Sequence, residues 1–231
     1  WVAREDREDD RERRRYVSPE MTGGEDLDRY GRWDRHPDYG AIWFPTAVAV
    51  GWAPYRYGHW AYVQPWGWTW VDDAPWGFAP FHYGRWVSYG GRWGWCPGQY
   101  VARPVYAPAL VAWFGGPNVS VGISVGGGPA VGWVPLAPRE YYYPSYQVTN
   151  IYVRNVNVTH QPWLPKYPPR TVPTGPIMYT NQGVAGGVTV VSKDVLRNRQ
   201  PISSSVIVPV DPRTVSSWQQ AGQHVVQQQQ G

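Results

Sequence analysis

From Trp52 to Trp95 nearly every second or third position is aromatic or glycine, and the large side chains alternate with small or polar ones. Alternation with a period of two marks a strand, whose side chains point in turn to opposite faces. His59-Trp60-Ala61-Tyr62-Val63 reads as one strand, Gln64-Pro65-Trp66-Gly67 as a turn and Trp68-Thr69-Trp70-Val71 as the returning strand. Pro65 presets φ for the turn, and Gly67 can enter the left-handed region where the chain rejoins the sheet. Arg85-Trp86-Val87-Ser88-Tyr89 leads through Gly90-Gly91 into Arg92-Trp93-Gly94-Trp95. A two-residue Gly-Gly loop suits a type I′ hairpin, and its register sets Trp86 opposite Trp95 and Ser88 opposite Trp93. An earlier hairpin turns at Pro37-Asp38-Tyr39-Gly40 and returns through Ala41-Ile42-Trp43-Phe44.

These hairpins form a repeat. Gly51-Trp52-Ala53-Pro54-Tyr55-Arg56-Tyr57-Gly58-His59-Trp60 recurs 26 residues later as Gly77-Phe78-Ala79-Pro80-Phe81-His82-Tyr83-Gly84-Arg85-Trp86, and Tyr30-Gly31-Arg32-Trp33 is a weaker copy upstream. A unit of this length cannot bury its own apolar face, so the copies are expected to stack into one small sheet or barrel. The predicted class is therefore all-β: repeated Trp-rich hairpins with long irregular Pro/Gly-rich segments. Eleven tryptophans lie between Trp33 and Trp95. Most are expected in the core, but so short a unit is expected to leave several ring faces at the surface, because Trp is rarely buried completely. The contact residues expected on that basis are Trp60, Tyr62, Trp66, Trp68, Trp70, Trp86 and Trp93, with Arg85 and Arg92 beside them.

Outside the repeats, residues 109–114, 118–125, 150–159, 187–191 and 206–208 read as extended segments or strands. Ser192 is placed to cap a short helical turn over Lys193-Asp194-Val195-Leu196. Gly132-Trp133-Val134-Pro135 echoes Gly51-Trp52-Ala53-Pro54 and is expected to pack with the same unit. The organisation read from this is a charged linker or helix at 1–29, in which 18–28 is polar linker, and a Trp-rich hairpin-repeat domain at 30–140. A β extension with a Pro-rich connector follows at 141–210, and a Gln-rich disordered tail at 211–231.

Composition modifies this picture in two ways. There are 26 Gly and 24 Pro in 231 residues, close to a disordered composition, yet the aromatic content is far too high for disorder. The net charge of +4 also hides an asymmetry. Residues 1–73 hold 10 basic and 14 acidic side chains; residues 74–231 hold 11 basic and 3 acidic. The basic half suits an anionic surface, but its arginines are scattered rather than clustered.

Candidate chemistry is sparse. Asp72-Asp73 invites an acid/base or metal reading, but neighbours on a strand face opposite ways, and Asp before Ala74-Pro75 is ordinary turn chemistry. His36, His59, His82, His160 and His224 form no metal-ligand spacing. No serine sits in a nucleophile elbow, and Gly126-Gly127-Gly128 lacks the Lys-Ser/Thr of a phosphate loop. Asn118-Val119-Ser120 and Asn157-Val158-Thr159 match the glycosylation triplet, a short pattern with many false matches. Cys96, the single cysteine, forms no internal disulfide and reads as a small buried side chain, with an intermolecular link as the alternative. No enzyme activity, cofactor or metal is expected. No apolar run approaches the roughly 20 residues that span a bilayer. The chain starts at Trp1 rather than Met, as expected of a processed chain or a fragment, so the absence of a signal segment does not bear on compartment.

The string Trp66-Gly67-Trp68-Thr69-Trp70-Val71-Asp72-Asp73-Ala74-Pro75-Trp76-Gly77-Phe78-Ala79-Pro80-Phe81-His82-Tyr83-Gly84-Arg85-Trp86 resembles a tryptophan-rich domain of unknown function found in exported Gram-negative bacterial proteins. Those often carry a FecR-like segment upstream and a Pro/Gln-rich tail. Leu27-Asp28-Arg29-Tyr30-Gly31-Arg32-Trp33, Gly51-Trp52-Ala53-Pro54-Tyr55 and Gly132-Trp133-Val134-Pro135-Leu136 fit the same pattern. The resemblance covers roughly 27–200. It implies a periplasmic or extracellular location and supplies no activity. More loosely, the Gly-Trp hairpins are similar to choline-binding and Gly-Trp cell-wall modules, in which aromatic cages hold a quaternary ammonium. The expectation is a non-enzymatic interaction or scaffold module of the envelope, contacting an envelope protein or its own copies through exposed aromatic residues. The alternative is a carbohydrate or cell-wall binding module with Trp stacking on sugars. Single-stranded nucleic acid is disfavoured as a partner.

Overall fold

The computed structural model of the chain describes residues 13–114, 124–125, 128–173 and 177–211. Residues 13–16 are helical, and a single helical turn, α1 (Leu27–Tyr30), leads into β1 (Gly31–His36), β2 (Gly40–Pro45), β3 (Gly58–Val63) and β4 (Gly67–Asp72). A one-turn helix, α2 (Phe78–His82), precedes β5 (Arg85–Tyr89), β6 (Arg92–Cys96) and β7 (Val111–Phe114). Short β8 (Ser124–Val125), β9 (Gly128–Pro135), α3 (Asn150–Asn157), β10 (Thr189–Ser192) and α4 (Lys193–Arg197) follow.

The predicted all-β class holds. Three antiparallel sheets carry the fold: β1-β2-β6-β5, β10-β9-β7 with β8 beside β9, and the β3-β4 pair. Among the described residues they do not close into a barrel. The Gly-Gly hairpin has the predicted register, Trp86 opposite Trp95 and Ser88 opposite Trp93, with φ of 59° at Gly90 and 74° at Gly91. The repeats do not all join one sheet, as stacking alone would predict. The first and last hairpins share a sheet through Trp43 and Trp95, whereas β3-β4 stands apart. Its two edges are taken by other chain segments: Trp70 N donates to Pro108 O at 3.0 Å, and Ile202 N to Gly58 O at 2.7 Å.

Register explains why the tryptophans form the core. Trp33 lies opposite Trp43, Trp43 opposite Trp95, and Trp95 opposite Trp86, so one row of four indoles crosses the first sheet on one face. Trp60 faces Trp70 in the hairpin, and Trp113 faces Trp133 in the third sheet. These rows converge: Trp60 lies 4.5 Å from Trp113 and 5.3 Å from Trp133, ring centroid to centroid. Tilted and edge-on pairs of this kind contribute roughly 0.5–1.5 kcal/mol each beyond their burial. Four buried indole N–H groups are satisfied by backbone carbonyls: Trp43 Nε1 donates to Leu27 O, Trp86 to Pro80 O, Trp95 to Tyr83 O and Trp133 to Tyr55 O, all at 2.8–2.9 Å. As expected, Trp133 packs with the repeat unit.

Beyond β10-β9-β7 a second core holds Leu110, Phe114, Val134, Tyr142, Val156 and Val190. The third sheet is thus the middle layer, and α3 covers its far side. Within the strand expected at 150–159, residues 150–157 form this helix instead. Thr149 Oγ1 accepts from Tyr152 N and caps the helix, while Val153, Val156 and Asn157 recur at helical spacing and are buried. Ile151, which a strand would have placed with Val153, is exposed. Residues 206–208 are not a strand either. They follow a turn in which Val206 N bonds Ser203 O, and only Val208 N reaches β10, at Val190 O. The strand expected at 118–125 lies outside the described residues except for Ser124–Val125. Ser192 caps α4 as predicted. The expected linker at 18–28 packs instead: Met21 and Leu27, with Val17 before them, enter the tryptophan core, and Ser18 Oγ donates to Ala102 O at 2.6 Å.

Candidate functional site

The aromatic contact residues expected from sequence separate into two groups. Trp60, Trp70, Trp86, Trp93 and Arg85 are buried, so the expectation that these rings and this guanidinium reach the surface is corrected: cross-strand pairing turns them into the shared core. Arg92 is exposed but lies on the first sheet, its guanidinium 4.5 Å from the Phe44 ring centre. Tyr62, Trp66 and Trp68 remain half-buried at the tip of the β3-β4 hairpin, and the structure brings them together. Tyr62 lies opposite Trp68, the rings edge-on with centroids 5.6 Å apart.

The tip is fastened to the far half of the chain by rings. Trp66 meets Tyr146 edge-on at 5.1 Å and Tyr106 at 5.3 Å. Tyr146 shares a short hydroxyl–hydroxyl bond with Tyr152, whose own hydroxyl donates to Tyr106 O at 2.7 Å. Burial holds the hydroxyls of Tyr142, Tyr146 and Tyr152 well above their ordinary range, so they stay neutral and act as hydrogen-bonding groups.

Beside this stack opens a cleft of about 500 Å³, a size within the range of small-ligand sites. Three segments line it. The hairpin tip gives Tyr62, Gln64 and Pro65, and the loop before α3 gives Tyr146 and Gln147 among others. The Pro-rich connector gives Arg170 and Thr171. Among the described residues no carboxylate lines it. The connector is held in place by Tyr141, whose hydroxyl donates to Pro169 O at 2.5 Å, and by Arg170, whose Nη2 donates to Val148 O. Gln64, Pro65, Tyr146, Gln147, Arg170 and Thr171 were not among the expected contact residues. The basic excess after residue 73 is a sequence signal that bears on Arg170 alone, and none pointed to the other five.

The other titratable groups hold loops. Asp72 Oδ2 accepts from Trp70 Nε1 and Oδ1 from Ala74 N, both at 2.9 Å; burial pushes its carboxyl up to about 7. Burial pushes His82 down to about 4, and its Nδ1 lies 2.8 Å from Ala107 O. Glu140 spans two backbone donors, Ala137 N and Thr180 N, at 2.7 Å each. Cys96 is the small buried side chain expected, and burial pushes its thiol up to about 12. Among the described residues no three His, Cys, Asp or Glu side chains gather as a metal would require, and no helix is long and apolar enough to cross a membrane.

A family described as "Family of unknown function (DUF6600)" matches residues 24–140. The chain belongs to this family. The DUF6600 span contains the three hairpins, the tryptophan core and the hairpin-tip wall of the cleft, and it ends at Glu140, before the loop and connector that supply the other walls. No curated protein and no solved structure matches the chain.

Proposed function

We propose that this protein is a non-enzymatic binding module of the bacterial envelope, working in the periplasm or outside the cell, and that it binds saccharide at the tip of the β3-β4 hairpin. The envelope location rests on the sequence resemblance alone. The binding role rests on one observation: Tyr62, one of the aromatic residues left at the surface by the core, borders a concave, hydroxyl- and amide-lined cleft of about 500 Å³. A tyrosine face such as that of Tyr62 accepts the apolar C–H face of a sugar ring, while Gln and Thr side chains exchange hydrogen bonds with its hydroxyls. A protein partner met through exposed hairpin tryptophans is the weaker reading, because Trp60, Trp70 and Trp86 are committed to the core.

The test is intrinsic fluorescence and calorimetry of the full chain against a panel of peptidoglycan and exopolysaccharide fragments, with Tyr62→Ala as the control. Saturable binding by at least one fragment, weakened in a variant of unchanged thermal stability, is the expected result. Silence across the panel, together with recovery of one defined protein from the envelope fraction by the intact chain, would replace this reading with a protein scaffold.

A further inference from the structure

Residues 141–193 contain Arg154, Lys166, Arg170 and Lys193 and not a single carboxylate. Two of the three cleft walls come from this stretch. Arg170 lines the cleft and is exposed. One of its terminal nitrogens is tied to Val148 O, and among the described residues the guanidinium makes no other hydrogen bond. That tie orients the planar fork while leaving N–H groups available, the arrangement that takes a carboxylate through two parallel bonds. The remaining lining is neutral: tyrosine rings, prolines, and the side-chain amides of Gln64 and Gln147. A neutral saccharide would leave the Arg170 charge unused, and a stretched acidic peptide would have no use for a ring-faced, amide-lined hollow.

We infer that the cleft is selective for acidic saccharides, binding a sugar ring against Tyr62 and its carboxylate against Arg170. The inference rests on the saccharide-binding reading above and narrows it to one chemical class. Uronate sugars and the lactyl ether of muramic acid carry the same carboxylate chemistry, so the probes must separate them.

The full chain is titrated by calorimetry with trigalacturonate, with the methyl ester of the same trisaccharide, and with a muramyl disaccharide. Ester and acid share their ring faces and differ in charge. The acid is expected to bind about tenfold or more tighter than its ester, the margin of a lost charge-assisted bond. Which of the two acids binds better identifies the source. Arg170→Gln is expected to erase the acid–ester difference, and raising salt to weaken the acid but not the ester. Arg170 is exposed, so this variant leaves the core intact, and unchanged binding of the ester shows that loss of the tie to Val148 O has not deformed the wall. Gln147→Ala, in the facing loop, is expected to weaken acid and ester alike. Equal binding of acid and ester, or an undiminished preference in Arg170→Gln, would overturn the acidic-sugar assignment while leaving saccharide binding intact. Absence of binding by any saccharide would overturn both.

Discussion

Tyr55 and Phe81, which occupy the same position in successive copies of the 26-residue repeat, meet in the core: the Tyr55 hydroxyl donates to Phe81 O at 2.9 Å, and the rings stand edge-on with centroids 4.8 Å apart. The same hydroxyl accepts from Leu110 N at 3.1 Å, and Tyr55 O accepts the Trp133 indole. One residue thereby joins two repeats to the residue that precedes β7 and to β9, the central strand of the third sheet. Tyr55→Phe keeps the ring but leaves Phe81 O and Leu110 N without a partner in a dry site. Each such group costs roughly 1–3 kcal/mol, so chemical denaturation should show a loss of about 2–4 kcal/mol. A loss below about 0.5 kcal/mol would mean that water reaches this site.

Arg85 is the corresponding hub on the other side of the first sheet. Its Nε donates to Glu140 O, Nη1 to Gly84 O and Nη2 to Asn157 Oδ1, at 2.9–3.1 Å, although the residue is 1 % exposed. Burial lowers its pKa only to about 10, so it remains charged at neutral pH. Arg85→Lys preserves the charge, but one ammonium cannot span three acceptors fixed for a planar fork. A loss of roughly 2–4 kcal/mol is expected from unfolding curves, with Arg85→Met no better. Wild-type stability in Arg85→Lys would show that the three bonds are replaceable.

Two glycines with ordinary backbone angles separate space from flexibility. A Cβ on Gly31 would stand 2.2 Å from the Trp43 ring, whereas one on Gly183 would meet nothing within 4 Å. Trp43 cannot retreat, because its indole is bonded to Leu27 O and packed against Trp76. Gly31→Ala is therefore expected to destabilise by roughly 1–3 kcal/mol through overpacking. Gly183→Ala should change stability by less than about 0.5 kcal/mol. Equal melting temperatures for the two variants would contradict the close approach at Gly31.

The three hairpins were legible because period-two alternation and turn residues act over a few positions: Gly90-Gly91 alone sets the register that places Trp86 against Trp95. The destination of the tryptophans was not legible. Whether Trp60 faces water or protein depends on Trp113 and Trp133, more than 50 positions away. Residues 150–158 alternate apolar and polar well enough to pass for a strand. Thr149 as cap and the burial of Val153 with Val156 decide for helix, and both act through a second core that local pattern does not reveal. The cleft was hidden for the same reason. Its walls come from residues 62–65, 144–153 and 170–171, and only the fold makes them neighbours.

Asp72 and His82 give the fold opposing responses to pH. The Asp72 carboxyl is raised from 3.8 to about 7 by burial, so between about pH 4 and 7 the folded chain holds a proton that the unfolded chain has released, and stability falls as pH rises. The His82 imidazole is lowered from 6.5 to about 4 by burial, so between about pH 4 and 6.5 the unfolded chain binds the extra proton, and stability rises with pH. Buried His160, held well below 6.5, adds to the second trend. Buried Glu140, whose carboxyl is raised, adds to the first, so the opposing effects partly offset each other in the native protein, and single substitutions should uncover them. Asp72→Asn removes the falling component, so its stability should climb more steeply than that of the native chain from about pH 4 to about pH 7. His82→Gln removes a rising component and should climb less or decline. Each change in slope should approach roughly 1 kcal/mol per pH unit within its window. Urea midpoints at the two ends of the window measure it. Parallel curves for the native chain and Asp72→Asn would show that the carboxyl is hydrated in solution, through opening of the turn that Trp70 Nε1 and Ala74 N close around it.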